Sequence, residues 1–361
     1  MEETPEGIDA PALEAWFSAN VADVTPPLRY ERIAGGRSNL TYSVSDAAGR
    51  RWALRRPPLG KGLGSAHDMG REHRVVSALG PTAVPVAPIA GVSDDDSVNG
   101  APFYVMDFVD GPILRSREHA APFSPDERRR IGERVIETLV AIHAIDPERV
   151  GLGELGKKED YVARQLHRWH GQWEKTIAAA GADSRPGAAE LVRPLPIVDE
   201  LHDRLKARIP EQGPATLVHG DYRLDNMILN DAGRISAVVD WELCTLGDPL
   251  ADVGLLVVYW AEQGDDLIPL FEPATMEPGF PSRTEIRELY ARLSGRDLSG
   301  LDYFIALGYW KLAIILQGVF ARYAAGQYGE PGAKENEGLQ TFARTVERCA
   351  EAADAALRRL T

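Results

Sequence analysis

The sequence predicts an α+β chain of two unequal parts, a small antiparallel sheet carrying one helix up to Gly111 and a larger, mainly helical part after it. Three observations carry that reading. Short β-type runs separated by turn residues fill positions 1–111, apolar residues recur at helical spacing over most of 112–361, and one strand-like island between Thr216 and Trp241 interrupts those helices. With 361 residues, and roughly 150 per domain, the chain has room for both parts.

Asp9 is placed as an N-cap, and Leu13, Trp16 and Phe17 after it give one apolar helical face running to about Asn20. Leu28–Ile33, Leu40–Val44 and Arg51–Arg55 then read as three antiparallel strands. A glycine turn, Ala34-Gly35-Gly36-Arg37-Ser38-Asn39, joins the first two, and Asp46–Gly49 turns between the second and third. Pro57-Pro58 stops the third strand, Gly60–Ser65 is a flexible connector, and His67–Leu79 has helical spacing through Met69, Val76 and Leu79. Val84–Val92 and Phe103–Val109 complete a five-stranded sheet around a solvated acidic turn, Ser93–Gly100.

Ser124-Pro125-Asp126-Glu127 is a helix-start signature leading into Ile131, Val135, Leu139 and Ile142. Tyr161, Gln165, Trp169 and Trp173 recur every four residues. A Gly/Ala/Pro-rich break at Ala180–Ala189 and an amphipathic stretch Ile197–Ile209 follow, which together read as an inserted helical hairpin over about 155–210. Leu217-Val218, Met227–Leu229 and Ile235–Val239 are strand-like, with a turn at Asp231-Ala232-Gly233. Asp302–Tyr323 and Leu339–Leu360 read as long helices.

Composition removes several classes of function. Lys and Arg total 40 against 54 Asp and Glu, a net charge of −14, so the chain as a whole is repelled by phosphate polyanions, and neither nucleic acid nor an anionic membrane is expected as a partner. Two distant cysteines, Cys244 and Cys349, build neither a disulfide framework nor a thiolate zinc site. The acidic stretch Met1–Asp9 lacks the pattern of a secretory signal, and the apolar runs Val253–Trp260 and Leu312–Leu316 fall short of the roughly 20 residues a bilayer span needs. A cytoplasmic location is the expectation.

The chemistry concentrates in His219-Gly220-Asp221-Tyr222-Arg223-Leu224-Asp225-Asn226, of the form H-x-D-x-x-x-x-N, followed by a β-hairpin that ends in Asp240-Trp241-Glu242. Such spacing suits phosphoryl transfer, where a loop aspartate meets the acceptor hydroxyl and an asparagine and a second aspartate hold Mg²⁺ on nucleotide phosphates. Asp and Asn also cap turns by themselves, and His219, Asp221 and Asp240 would equally serve a metal-dependent hydrolase. The absence of a histidine-rich ligand set weighs against the latter, because Asp and Asn favour a hard cation.

With Gly247-Asp248-Pro249-Leu250-Ala251-Asp252 after the second aspartate, the chain resembles the aminoglycoside phosphotransferase family from about Leu28 to Tyr259. Within it, Leu54-Arg55-Arg56-Pro57-Pro58, Arg71-Glu72-His73-Arg74-Val75 and the run from Phe103 to Gly111 are most similar to the branch related to the kinase domain fused to acyl-CoA dehydrogenases. The resemblance implies a bilobal protein-kinase-like fold, an N-lobe over 1–111 and a helical C-lobe over 112–361, that moves the γ-phosphoryl group of ATP or GTP to the hydroxyl of a small molecule with Mg²⁺. It implies Asp221 as catalytic aspartate, Asn226 and Asp240 as metal ligands, and His219, Arg223 and Asp252 as support for the loop. Ser38 and Asn39 would cover phosphates, Glu72 would orient Arg55, and Met106, Asp107, Phe108 and Val109 would form the nucleobase hinge. Tyr161, Gln165, Trp169 and Glu242 are the acceptor candidates, with helix packing as the alternative role of the aromatic stripe. Arg55 departs from the wider fold, which carries lysine there, and a planar guanidinium does not replace a compact ammonium by default. That departure also suits a non-catalytic nucleotide-binding protein. An antibiotic acceptor and a metabolite, including a hydroxyacyl compound, are both compatible with the resemblance.

Overall fold

Asp9 caps the first helix, α1 (Ala10–Asn20), by accepting the Ala12 N–H, and the buried Leu13 and Phe17 lay that helix on the sheet that follows. The structure, a computed structural model, describes residues 4–33, 39–59, 69–181, 192–265, 273–324 and 333–360. Ser38 with the rest of the glycine turn before Asn39, the connector Gly60–Ser65 and most of the Ala180–Ala189 break lie outside the described residues.

Strands β1 (Arg29–Arg32), β2 (Leu40–Ser45), β3 (Arg51–Arg56), β4 (Ile89–Ser93) and β5 (Phe103–Asp107) pair antiparallel in the order β1-β2-β3-β5-β4. Side chains alternate across the sheet. Tyr42, Val44, Trp52, Leu54, Phe103 and Val105 form a core with α1 on one face. Arg55 and Tyr104, paired across β3 and β5, lie on the other face. Helix α2 (Met69–Leu79) covers that second face with Met69, Glu72, Val75, Val76 and Leu79, an apolar stripe with one carboxylate in it. The fourth strand is shorter than the expected Val84–Val92 because Pro85 and Pro88 have no N–H for a ladder. Their carbonyls instead accept from Val238 and Asp107.

After Gly111 the long helices among the described residues are α3 (Pro125–His143), opened by a Ser124/Glu127 capping box, α4 (Tyr161–Gly181), α5 (Pro196–Lys206), α6 (Leu250–Tyr259), α7 (Arg283–Ser294), α8 (Leu301–Ala324) and α9 (Ala333–Arg358). Helix α7 begins with the same kind of capping box, Ser282/Glu285, a signature overlooked in the sequence. Helix α8 is long and apolar enough to cross a membrane by length and composition, although no uninterrupted apolar run shows it. About 72% of that stretch is buried inside the protein, as a core helix is. Trp310 and Tyr303 on α8 donate to the Val198 and Leu205 carbonyls of α5, which fastens the inserted hairpin to the core.

Two small ladders sit among these helices, β6 (Thr216–Val218) with β9 (Thr245–Gly247), and β7 (Met227–Leu229) with β8 (Ile235–Val238). Strand β9 is too short to carry a periodic signal. Gly111, the last residue of the N-terminal part, has φ +153, and a Cβ there would meet the Leu229 carbonyl oxygen at 1.7 Å. Gly111→Ala is therefore expected to lower the urea midpoint by the equivalent of about 2–4 kcal/mol, and an unchanged midpoint would contradict this close approach.

Candidate active site

The loop between β6 and β7 is held by its backbone. Gly220 takes φ +84, and a Cβ there would press on Leu243 at 2.9 Å, so the turn requires glycine. Asp252, in the first turn of α6, accepts the His219 N–H at 2.7 Å and the Gly220 N–H at 2.9 Å. Burial alone would raise this carboxyl. His143, His219 and the Gly220 N–H outweigh burial and hold it below the ordinary carboxylate range. His143, 3.3 Å from Asp252, is itself fixed by the Tyr290 hydroxyl at 2.7 Å. Neither residue was foreseen, since nothing around them in the sequence marks a role.

His219 is fully buried. Its Nδ1 accepts the Asp221 N–H at 3.2 Å, which assigns the proton to Nε2, 3.1 Å from the Val239 carbonyl. The ring thus ties the loop to the end of β8, as a loop organiser would.

Asn226 Nδ2 donates to the Asp221 carbonyl at 2.9 Å and to its Oδ2 at 3.1 Å, leaving Asn226 Oδ1 available to a cation. Arg223 stands 3.5 Å from Asp221 and 3.4 Å from Asp225, with its guanidinium 5.0 Å from the Tyr259 ring centre. Asp240 ends the hairpin in the left-handed region, φ +69 and ψ 55, a conformation that costs a non-glycine residue about 1–3 kcal/mol and concentrates at functional positions.

Arg55 crosses from the sheet to meet it. Its Nη2 lies 3.1 Å from both Glu72 Oε1 and Asp240 Oδ1. Tyr104 bonds Glu72 from the neighbouring strand. Burial works against the Arg55 charge, but Glu72, Tyr104 and Asp240 more than compensate and raise its pKa, so it stays a cation. Arg55 Nε is buried without a hydrogen-bond partner, a donor left over for an incoming anion. Arg55→Met is expected to cost about 2–3 kcal/mol, less than the 3–5 of a broken fully buried pair because Glu72 can take up a proton. Glu72→Gln in the same background should recover part of the loss, and a midpoint shift under 1 kcal/mol would contradict the pairing.

Asn39, just after the glycine turn, donates to Glu242 Oε2 at 3.0 Å. That contact turns Glu242 toward β2 through the short turn Trp241–Leu243, and Glu242 is not among the residues that line the pocket with Tyr161, Gln165 and Trp169. Trp173 is buried in the core, as the packing reading of the stripe has it. Along the hinge segment the Asp107 and Phe108 N–H groups are committed to the Pro88 and Arg51 carbonyls, and Val109 is the first position with an uncommitted N–H among the described residues. Arg51 packs over the Phe108 ring at 4.3 Å.

Tyr161, Gln165 and Trp169 line a narrow pocket with Leu255, Phe304 and Lys311, and Gly220 forms its floor beside Asp221. Lys311 was missed, though its signal was present: it is the only charge between Tyr303 and Leu316.

Asp240, Asn226 and Asp221 make a hard oxygen set. Among the described residues no group of three His, Cys, Asp or Glu side chains forms a cage of its own. This fits Mg²⁺, which binds through one or two carboxylates and completes its shell with water and phosphate oxygens.

The sequence pattern of the phosphotransferase enzyme family matches residues 29–286. The chain is 31% identical over 355 residues to acyl-CoA dehydrogenase family member 11 of Homo sapiens, covering 95% of this chain and 42% of that protein. It spans about 28–42% of the length of the curated relatives it matches. A solved structure from Ralstonia eutropha JMP134, provisionally named an aminoglycoside phosphotransferase, is 31% identical with a TM-score of 0.76, covering 96% of this chain and 98% of that one. A more distant structure, an aminoglycoside phosphotransferase in complex with AMP-PNP and hygromycin B, shares the fold at 18% identity and a TM-score of 0.57, covering 97% of this chain and 98% of that one.

Proposed function

The chain belongs to the phosphotransferase enzyme family, and from that premise we propose that it is a Mg²⁺-dependent small-molecule kinase that moves the γ-phosphoryl group of ATP or GTP to a hydroxyl of a metabolite. The observation that carries this reading is the contact of Asn226 with Asp221 in the loop, together with Asp240 at the end of the hairpin, which shares the Arg55 guanidinium with Glu72.

Asp221 accepts the proton of the acceptor hydroxyl, whose oxygen attacks the γ-phosphorus in line as the bond to the β–γ bridging oxygen breaks. Asn226 holds the Asp221 carboxylate in place, and Asn226 Oδ1 with Asp240 would hold the metal. Mg²⁺ supplies charge neutralisation on the phosphates. Arg55, anchored by Glu72, exchanges part of its contact with Asp240 for a phosphate oxygen, and Val109 offers its N–H to the nucleobase. His219 and Asp252 fix the loop, and Asn39 borders the phosphate side. Tyr161, Gln165 and Trp169 border the acceptor.

A metabolite is favoured over an antibiotic because the pocket beside Asp221 is lined mostly by apolar and aromatic side chains, and its two charged groups, Lys311 and the Asp252 carboxylate already taken up by the loop, leave no free carboxylate in it for a polycation. Similarity to the dehydrogenase-linked relatives supports a hydroxyacyl compound as one such acceptor.

Thermal unfolding with ATP and with GTP, each with and without Mg²⁺, tests the nucleotide site. Binding at a hundredfold excess over Kd adds about 2.7 kcal/mol of stability. The expected result is a metal-dependent shift in the wild type that Asp240→Ala loses, followed by nucleoside diphosphate release in an acceptor screen. No shift with either nucleotide would overturn the kinase reading, and strong aminoglycoside protection of a susceptible host would overturn the choice of acceptor.

A further inference from the structure

We propose that Lys311 positions the catalytic loop and selects the acceptor by charge, an inference that rests on the kinase reading above. Lys311 is partly buried in α8, where an ammonium is costly unless it is matched by acceptors. The match in hand is incomplete. Nζ donates to the Gly220 carbonyl at 2.8 Å and lies 5.1 Å from the Trp169 ring centre. Among the described residues no carboxylate stands within ion-pair distance of it, and an ammonium has three donors. The remaining ones border the same pocket as Gln165, Leu255 and Phe304.

The two ends of the arrangement act on one segment of backbone. Asp252 takes the N–H groups of His219 and Gly220, while Lys311 takes the carbonyl of Gly220, the peptide group that leads directly into Asp221. Lys311 thereby fixes the orientation of the peptide that carries the catalytic carboxylate. Its unspent donors face the acceptor, so an acceptor that brings an oxygen with lone pairs into the apolar pocket completes its shell. Asp221 and Asp252, the carboxylates that act on Lys311 from beyond ion-pair distance, are engaged by Asn226, Arg223 and the loop N–H groups, so an acceptor that brings an ammonium group meets the Lys311 charge in surroundings that screen it poorly.

The test is a matched series with one chain and one hydroxyl: a medium-chain hydroxy acid, its methyl ester, the corresponding diol and the corresponding amino alcohol. Nucleoside diphosphate release is followed for wild type, Lys311→Met and Lys311→Arg. For the wild type, kcat/KM should fall in the order acid, ester, diol, amino alcohol. Lys311→Met should lower kcat for every acceptor and, separately, shrink the acid-to-amino-alcohol ratio by about 10- to 100-fold, the range of a hydrogen bond to a charged group. Lys311→Arg, which keeps the charge, should restore most of that ratio. An unchanged ratio in Lys311→Met overturns the selection.

Failure of the kinase reading is recognised separately, as loss of any metal-dependent nucleotide shift. If no member of the series turns over, calorimetric binding of the hydroxy acid and of the amino alcohol to Mg²⁺- and nucleotide-loaded protein decides. Tighter binding of the acid, lost in Lys311→Met, supports the proposal, and equal binding, or no binding of the acid, overturns it.

Discussion

Asp221→Asn is expected to lower kcat by about 100- to 10,000-fold, the range for loss of a positioned general base, while leaving the metal-dependent stabilisation by nucleotide in place. The expectation follows from how the carboxylate is held. Asn226 Nδ2 donates to Asp221 Oδ2 at 3.1 Å and to its carbonyl at 2.9 Å, and Arg223 stands 3.5 Å away, so an amide of the same size keeps the position of the side chain. It loses only the capacity to accept the hydroxyl proton. Nucleotide affinity should survive because Arg55, Glu72 and Asp240 are untouched and Asn226 keeps its bond to the backbone carbonyl. Single-turnover kinetics with saturating nucleotide, beside a thermal shift on the same sample, separates the two effects. Turnover at the wild-type rate would remove Asp221 from the chemistry. Loss of the nucleotide shift together with turnover would instead assign Asp221 to binding.

How far such a site was legible depends on whether a residue's role is local in sequence. Asp221, Asn226 and Asp240 share one loop and the hairpin that follows, so their spacing encodes their proximity, and the structure brings Asn226 onto Asp221 as that spacing requires. Arg55 and Glu72 were reached through the resemblance of the runs around them to the family, and the structure pairs them between β3 and α2. Glu242 was not legible in this way. A three-residue turn has no periodicity from which to infer a direction, and a contact with Asn39, 203 positions away, shows the side toward which it turns. His143, Tyr290 and Lys311 come from three helices distant in sequence, and their convergence behind the loop is a property of helix packing. The strands behaved likewise. β2 follows its alternation, and β3, buried from Trp52 through Leu54, does not, whereas β4 is shortened by two prolines and β9 exists only because β6 offers it a partner.

The packing that sequence could not reveal makes a second strong prediction. Asp252→Asn is expected to destabilise the protein by about 3–5 kcal/mol, the loss of a buried charge from a satisfied network, and to slow turnover by releasing the loop. A carboxylate is acceptor-only, and Asp252 uses both oxygens, Oδ1 for the Gly220 N–H and Oδ2 for the His219 N–H and His143 Nε2. An amide has one acceptor and one donating group, so in either orientation it sets an N–H against a backbone N–H. The sign of the pH dependence follows from the lowered pKa. Because the folded value lies below the ordinary 3.8, the carboxylate's stabilisation is fully present above that ordinary value and is lost as pH falls through the lowered folded value. The difference in urea midpoint between wild type and Asp252→Asn should therefore be constant near neutrality and narrow only in strong acid. A difference below 1 kcal/mol at neutral pH, or one that disappears well above the ordinary carboxylate range, would mean that the loop is held by its hairpin and by His219, with Asp252 a bystander.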